Sequence, residues 1–187
     1  MSQPDAEDVT CRRFGPWLVG VAVTPNGKTA FVTNALSGTV STIDVKTRTK
    51  HPTDIPVGSR PFGVAVTPDS KTAFVTNNGS GTVSTIDVKT RSKHATDIPV
   101  GPFPKGVAVT PDGKTAFVTN ANPTVGSDSL VLGFEPVPGG DSVSTIDVKT
   151  RTKHPTDVVT GSLPLRVAIT PDGKTAYVTG APCRRSM

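Results

Sequence analysis

The stretch VAVTPNGKTAFVTN, from Val21 to Asn34, decides the fold because the chain repeats it. It returns as VAVTPDSKTAFVTN from Val64, as VAVTPDGKTAFVTN from Val107 and as VAITPDGKTAYVTG from Val167. The first three copies start 43 residues apart, and the fourth starts 60 residues after the third. A period of this length is typical of supersecondary units that stack on one another and share a core. The sequence therefore predicts a repeat protein.

Each copy has the pattern of antiparallel β-strands. Apolar residues alternate with polar ones in short runs, with the period of two that is typical of strands. A Thr-Pro-Asn-Gly-Lys or Thr-Pro-Asp-Gly-Lys turn separates the first two runs, and Ser70 replaces its glycine in the second copy, so we expect a positive φ there. The third strand is TVSTIDV and the fourth is TDIPVG. Because proline donates no ladder hydrogen bond, Pro56 and Pro99 predict that the fourth strand is the outer edge.

These motifs together resemble a known family. FVTN at Phe31, Phe74 and Phe117, YVTG at Tyr177, TVSTIDV, IPVG and VAVTPDGK are similar to the YVTN β-propeller repeats of bacterial and archaeal surface or secreted proteins, which include YncE-like periplasmic propellers. The resemblance covers residues 16–180. It implies blades of four antiparallel strands in a WD40-like architecture, with the first strand of each blade next to the axis. It implies no single activity, because related propellers range from cell-surface layers to subunits of quinoprotein dehydrogenases.

The repeats fill three complete blades and the first two strands of a fourth. We expect blades over 16–58, 59–101 and 102–161, the third with an insertion at 121–141, and a half blade over 162–180, between tails at 1–15 and 181–187. This predicts an all-β, propeller-type fold of about three and a half four-stranded antiparallel blades, either a four-bladed ring or an incomplete propeller. Three explanations of the missing strands stay open: a closing strand from the N-terminal tail, a homodimer that completes the ring, and truncation of a longer family member.

Composition places the chain among folded globular proteins. Hydrophobic residues make up 34% of it, and its 18 glycines and 18 prolines fall at periodic turns rather than in a low-complexity run. The beginning of the chain lacks the basic and apolar regions of a secretion signal, and no apolar run is long enough to predict a transmembrane segment. The sequence alone therefore indicates a cytoplasmic protein, whereas the resemblance implies a secreted or cell-surface one.

The best candidate site is the one segment that does not repeat, Ala121 to Asp141. Loops held on a rigid scaffold are where binding residues concentrate. We expect this segment on the face that carries the blade-to-blade loops, where basic residues would surround it. The predicted partner-binding residues, for an unknown protein or surface polymer, are an apolar cluster and its basic rim: Leu130, Leu132, Phe134, Arg60, Lys105 and Arg166.

The opposite face is expected to be basic. Most of the 20 Lys and Arg residues fall in the hairpins that join strands one to two and three to four. Such a face attracts polyanions. The hairpins hold no aromatic residues on which bases would stack, however, so we expect no nucleic-acid partner and attribute the charge to solubility.

No pattern of residues indicates catalysis, a cofactor or a metal. Three histidines recur at equivalent positions of the outer strand, namely His51, His94 and His154, but outer strands of successive blades diverge too far to share one ion at about 2.1 Å. Three aspartates recur in the third strand, and we interpret them as ties for the adjacent turn: Asp44, Asp87 and Asp147. Hydrolase, zinc-protease and phosphate-loop motifs are missing from the sequence.

The sequence therefore favours a non-catalytic binding or protein-interaction scaffold. Two alternatives stay open: an enzyme or redox subunit with a site in the central channel, and an inactive fragment of a longer propeller. Cys11 and Cys183 would become neighbours if the ring closed, and a disulfide between them would need an oxidising compartment.

Overall fold

The structure is a computed structural model, and it describes residues 18–121, 141–161 and 163–180. Within these residues the chain is all β. Blade 1 holds β1 (Leu18–Val23), β2 (Thr29–Asn34), β3 (Thr39–Asp44), β4 (Thr49–Lys50) and β5 (Ile55–Pro56). Blade 2 holds β6 (Pro61–Val66), β7 (Thr72–Asn77), β8 (Thr82–Asp87), β9 (Ser92–Lys93) and β10 (Ile98–Pro99). Blade 3 holds β11 (Pro104–Val109), β12 (Thr115–Asn120), β13 (Ser142–Asp147), β14 (Thr152–Lys153) and β15 (Val158–Val159). Blade 4 holds β16 (Pro164–Ile169) and β17 (Ala176–Gly180).

Each complete blade is one antiparallel sheet with the same strand order. In blade 1 the order is β1-β2-β3, and β3 pairs on its outer side with both β4 and β5. The inner strands β1, β6, β11 and β16 pack successively against one another, so the blades are arranged around a common axis. The prediction of an all-β, propeller-type fold with a half blade at the end is confirmed. The part of the chain that the structure describes contains no helix long and apolar enough to cross a membrane.

The outermost strand differs from the single run that the sequence predicts. It consists of two pieces of two residues each, β4 at one end of β3 and β5 at the other. Between them the Asp54 carboxylate accepts a hydrogen bond from Ser41 Oγ at 2.8 Å and pairs with Lys50 Nζ at 2.6 Å. These side-chain contacts add to the backbone ladder at the middle of β3, where His51 N–H donates a hydrogen bond to the Thr42 carbonyl oxygen at 2.8 Å. The edge position predicted for Pro56 is confirmed.

The hairpin between the first two strands is fixed by its threonine. Thr24 Oγ1 accepts hydrogen bonds from the backbone N–H groups of Lys28 and Thr29 at 3.2 and 3.0 Å. Gly27 then takes φ = 70°, and Ser70 takes φ = 60° at the same place in blade 2, as predicted. Ser70 Oγ also accepts a hydrogen bond from the Asn26 N–H of the preceding blade at 3.1 Å, which links the two hairpin tips.

The core lies between blades rather than within one. Between blades 1 and 2, one sheet surface contributes Phe31, Val40 and Ile55, and the facing surface contributes Ala73, Val75 and Ile86. The same six positions fill the next junction: Phe74, Val83, Ile98, Ala116, Val118 and Ile146. Each of these blades therefore has an outgoing surface, which faces the following blade, and an incoming surface, which faces the preceding one. The outgoing surface of one blade packs against the incoming surface of the next.

Glycine allows the inner strands to approach closely. A Cβ atom added at Gly20 would overlap the Phe62 carbonyl oxygen of the next blade, and one added at Gly63 would overlap that of Lys105. Thr76 reinforces this contact, since its Oγ1 accepts a hydrogen bond from Gly63 N–H and donates one to the Lys105 carbonyl oxygen, both at 2.7 Å. The backbones of β6 and β11 are thus each anchored by a threonine of the preceding blade.

Candidate binding site in the axial cavity

Residues of the four inner strands line a cavity at the axis of the arc. Its volume is about 390 Å³. Three consecutive residues of each inner strand line it: Val19, Gly20, Val21, Phe62, Gly63, Val64, Lys105, Gly106, Val107, Leu165, Arg166 and Val167. The two charged residues in this set are both cations, and the remaining residues are valine, leucine, phenylalanine and glycine. A cavity with one sign of charge and apolar walls favours a ligand of the opposite charge.

Lys105 is the half-buried cation of the cavity. It occupies the second position of β11, and its Nζ lies 5.8 Å from the centre of the Phe62 ring in the neighbouring inner strand. Burial lowers the pKa of Lys105, and none of the ion pairs between described residues involves it. An anion that entered the cavity would supply the missing countercharge.

Arg166 occupies a position that is glycine in the other three blades. Gly20, Gly63 and Gly106 each face the inner strand of the following blade at a distance that leaves no room for a side chain. Arg166 in β16 is exposed, and a side chain is tolerated there because the described residues place no further inner strand against it. The change from glycine to arginine in the fourth repeat thus adds the second cation to the cavity wall.

The predicted rim residues are placed differently from one another. Arg60 lies in the connection before β6 and is exposed, as a rim residue should be, but it does not line the cavity. The structure places Lys105 and Arg166 within inner strands, and not in blade-to-blade loops as the sequence suggested. The apolar residues predicted as partner contacts, Leu130, Leu132 and Phe134, lie outside the described residues. So do Cys11, Cys183 and both tails.

The ends of the non-repeated segment lie at the same face as the blade-to-blade connections. Ala121 N–H donates a hydrogen bond to the Phe103 carbonyl oxygen at 3.3 Å, and Leu163 N–H donates one to an Asp141 carboxylate oxygen at 3.0 Å. Phe103 and Leu163 stand two and three residues before Lys105 and Arg166 in the chain. The two described ends of the segment are therefore tied to the chain beside the two cavity cations.

The recurring aspartates hold turns, as predicted. The Asp87 carboxylate accepts hydrogen bonds from Thr90 N–H at 2.7 Å and from Thr90 Oγ1 at 2.8 Å, and both lower the pKa of Asp87. Asp44 and Asp147 make the same contacts in their own blades.

Two outer grooves between successive blades, of about 550 and 660 Å³, are lined in part by two of the recurring histidines, His51 and His94. In one of them the Arg151 guanidinium lies 2.7 Å from His94 Nε2. No group of three or more metal-ligating side chains forms among the described residues. Each groove also contains an aspartate, Asp54 or Asp97, that is paired with a lysine of its own blade, so the outer grooves carry charge of both signs.

Sequence reasoning missed the role of Phe62 and the convergence of the inner strands on one cavity. The alignment of repeats places Val19, Phe62, Lys105 and Leu165 at equivalent positions. Departures from the repeat at positions facing the axis were the available signal, because the residues of the two core clusters are the same at successive junctions.

Comparisons with known proteins support the fold. No family model matches the chain, and no curated protein sequence matches it. It is similar to the solved structure of Kuenenia stuttgartiensis hydrazine synthase, with a TM-score of 0.76 and 26% identity over 94% of this chain and 45% of that one. It is also similar to a putative 6-phosphogluconolactonase from Bacteroides uniformis, with a TM-score of 0.69 and 17% identity over 90% of this chain and 48% of that one.

A third similar structure is virginiamycin B lyase from Staphylococcus aureus, with a TM-score of 0.63 and 16% identity over 87% of this chain and 48% of that one. The chain thus spans about half the length of each of these solved structures. All three have propeller-type folds. By its strand order and by these similarities, the chain has the fold of a β-propeller.

Proposed function

We propose that this protein is a binding module built on YVTN-type propeller repeats, and that it binds an anionic ligand in the axial cavity. The observation that carries the proposal is the pair of cations, Lys105 and Arg166, in a cavity lined otherwise by Gly, Val, Leu and Phe. A carboxylate or phosphate group would pair with both cations. The Phe62 ring and the valines would contact the apolar part of the same ligand.

The half-buried position of Lys105 favours binding over a purely solvating role. A lysine that serves solubility extends into water, whereas the pKa of Lys105 is lowered by burial. The Lys105 backbone is also held in place by the hydrogen bond from Thr76 Oγ1 to its carbonyl oxygen. A cation on an anchored strand is preorganised for a ligand, because little side-chain and backbone freedom remains to be lost on binding.

The test is calorimetric titration with inorganic phosphate and with phenyl phosphate as probes. We expect phenyl phosphate to bind more tightly, because its ring adds apolar contact. Lys105→Gln should weaken it about tenfold or more through loss of a charged hydrogen bond. Lys28→Gln is the matched control, since Lys28 is an exposed cation in the hairpin between β1 and β2. Equal small losses of affinity in both variants, together with binding that salt abolishes to the same extent in both, would show that the probe binds general surface charge. That result would refute the proposal.

The affinity should also depend on pH with a defined sign. Lys105 must be protonated to pair with the anion, and burial lowers its pKa. An ordinary lysine has a pKa of about 10.4. The affinity should therefore begin to decline at a lower pH than such a lysine would give. Lys105→Arg should remove this alkaline decline while retaining binding. An unchanged alkaline decline in Lys105→Arg would show that another group controls the affinity.

An enzyme or redox subunit that uses the same cavity is the second candidate, and the half-buried position of Lys105 in the cavity wall, which lowers its pKa, favours it. A lysine with a lowered pKa has more of the neutral amine that acts as a nucleophile or base. Reduction with borohydride in the presence of a carbonyl compound would trap a covalent adduct on Lys105. Recovery of unmodified protein would leave anion binding as the function of the cavity.

A further inference from the structure

Blade 1 exposes a sheet surface that blades 2 and 3 bury. We define this incoming face by five residues: Val21, Val23, Val32, Ile43 and Val45. Val21 is 69% exposed and Val23 is 52% exposed. Their counterparts in blade 2, Val64 and Val66, pack against the core cluster between blades 1 and 2. The incoming face of blade 1 therefore has the chemistry of an internal junction but no preceding blade among the described residues.

Blade 4 exposes the complementary side of the same junction. Phe31 and Phe74 project from the outgoing surfaces of blades 1 and 2 into the next blade and have no exposed area. Tyr177 in β17 stands at the equivalent position of blade 4 and is 63% exposed. The two halves of one junction thus lie uncovered at opposite ends of the same arc.

A groove on the incoming face has the properties needed to receive an aromatic side chain. Its volume is about 340 Å³. Val32 and Ile43 provide apolar walls, and Asn34, Lys50 and Asp54 provide polar groups around them. A buried tyrosine needs a hydrogen-bond partner for its hydroxyl group, and this groove offers several. Tyr177 is the copy in which the repeated phenylalanine is replaced by tyrosine.

We propose that a second copy of this chain covers the incoming face, with Tyr177 of each copy inserted into the groove of the other. Surfaces that complement each other within one molecule form head-to-tail contacts, which close when the rotation between copies completes a circle. This chain covers 45 to 48% of the length of three chains with propeller-type folds. Two copies together match about the length of one such chain, so we expect the contacts to close at a dimer.

Arg166 determines where the contact forms. Glycine at this position allows the next inner strand to approach in the other blades. The arginine keeps the inner strand of the second copy away from β16, so the contact is made farther from the axis, around Tyr177. Both copies would then face one shared axial cavity.

The test is the solution mass of the full chain by light scattering over a range of concentrations. We expect twice the chain mass of 19.3 kDa, and a monomer for Tyr177→Asp and for Val23→Asp. Both residues are exposed, so cooperative thermal melts should show that the variants still fold. Thr96→Asp, at an exposed position of a blade 2 loop, is the control with the same change in charge and should remain dimeric.

Mixing the two variants distinguishes the proposed contact, between the Tyr177 end of one copy and the incoming face of the other, from a contact between two like faces. A mixture of Tyr177→Asp and Val23→Asp chains can form one junction from two unaltered surfaces, so a weaker heterodimer should appear. A dimer that Val23→Asp disrupts but Tyr177→Asp does not would mean that two incoming faces pair with each other, and would overturn the proposal. A wild-type monomer at every concentration, or a mass that grows beyond the dimer, would overturn it as well.

Discussion

Ser70 combines backbone strain with a compensating contact between blades. A side chain at φ = 60° costs about 1 kcal/mol relative to glycine. The hydrogen bond that Ser70 Oγ accepts from Asn26 N–H returns about the same amount. The strained turn is therefore kept without a large net cost.

Substitutions at Ser70 should separate these two contributions. Ser70→Ala keeps the strain and loses the hydrogen bond, so the free energy of unfolding should fall by about 1 kcal/mol. Ser70→Gly loses both and should change stability little. Gly27→Ala measures the strain alone, because a Cβ atom there meets no neighbour within 4 Å. Urea denaturation gives all three values, and an equal loss in Ser70→Ala and Ser70→Gly would show that strain is not involved.

Ser70 shows which features the sequence could predict and which it could not. Its positive φ followed from the glycines in the other three copies. Its bond to Asn26 did not, because the partner lies 44 residues away in a different hairpin. Lys105 gives the same lesson, since the sequence identified it as a candidate but could not show that it lies beside Phe62 in a cavity.

At the scale of elements, the inner strands are held together by one repeated threonine. Thr33 Oγ1 donates a hydrogen bond to the Phe62 carbonyl oxygen at 2.9 Å, and Thr76 makes the equivalent contact to Lys105. Thr119 accepts a hydrogen bond from Gly106 N–H at 2.8 Å, but it makes no such contact to blade 4 among the described residues. The clamp between blades thus ends where the complete blades end.

Threonine-to-valine variants should reveal this difference between junctions. Thr33→Val and Thr76→Val each remove a bond within the blade and a bond between blades, whereas Thr119→Val removes the first kind alone. The first two should therefore lower the free energy of unfolding by about 1 kcal/mol more than the third. Chemical denaturation of the three variants measures it. Equal losses would mean that the bonds between blades add no net stability.

The long strands were predictable and the outer strand was not. TAFVTN and TVSTID are rich in β-branched and aromatic residues, lie between turn residues, and form β2 and β3 as expected. β4 and β5 have two residues each, which is too short for any period, and β4 lies in the hairpin that the sequence predicts between the third and fourth strands. The hydrogen bond between Ser41 and Asp54, which stands between β4 and β5, joins residues 13 positions apart and has no local pattern in the sequence.

At the scale of the whole molecule, hairpin aspartates link stability to acid pH. The Thr110 hydroxyl and the Lys114 N–H bond to Asp112 and hold its pKa below the usual range, and Thr67 and Thr170 act similarly on Asp69 and Asp172. A carboxyl group whose pKa is lower in the folded state stabilises the fold above the unfolded pKa of about 3.9. This contribution is lost as the pH falls through the lower, folded value.

The free energy of unfolding should therefore be nearly constant above about pH 5 and should decrease below about pH 4. Urea denaturation at a series of pH values measures the decrease. Asp112→Asn should make it less steep, because one of the titrating groups is gone. A decrease of the same steepness in Asp112→Asn would assign the acid sensitivity to other carboxyl groups.

The common register of β2 and β3 in successive blades has a consequence for how the chain reaches its structure. Thr29 opposes Asp44, Thr72 opposes Asp87 and Thr115 opposes Asp147, between strands of nearly identical sequence. During folding, a strand of one repeat can therefore pair almost as well with a partner from another repeat. The length of the connection favours the correct partner. Residues 35–38 and 78–81 are short connections, so pairing within blades 1 and 2 has a small entropic cost of loop closure. Residues 121–141 form a longer connection, so the entropic cost of correct pairing is larger in blade 3. Exchange of strands between repeats, a known route to misfolding in repeat proteins, should therefore centre on blade 3.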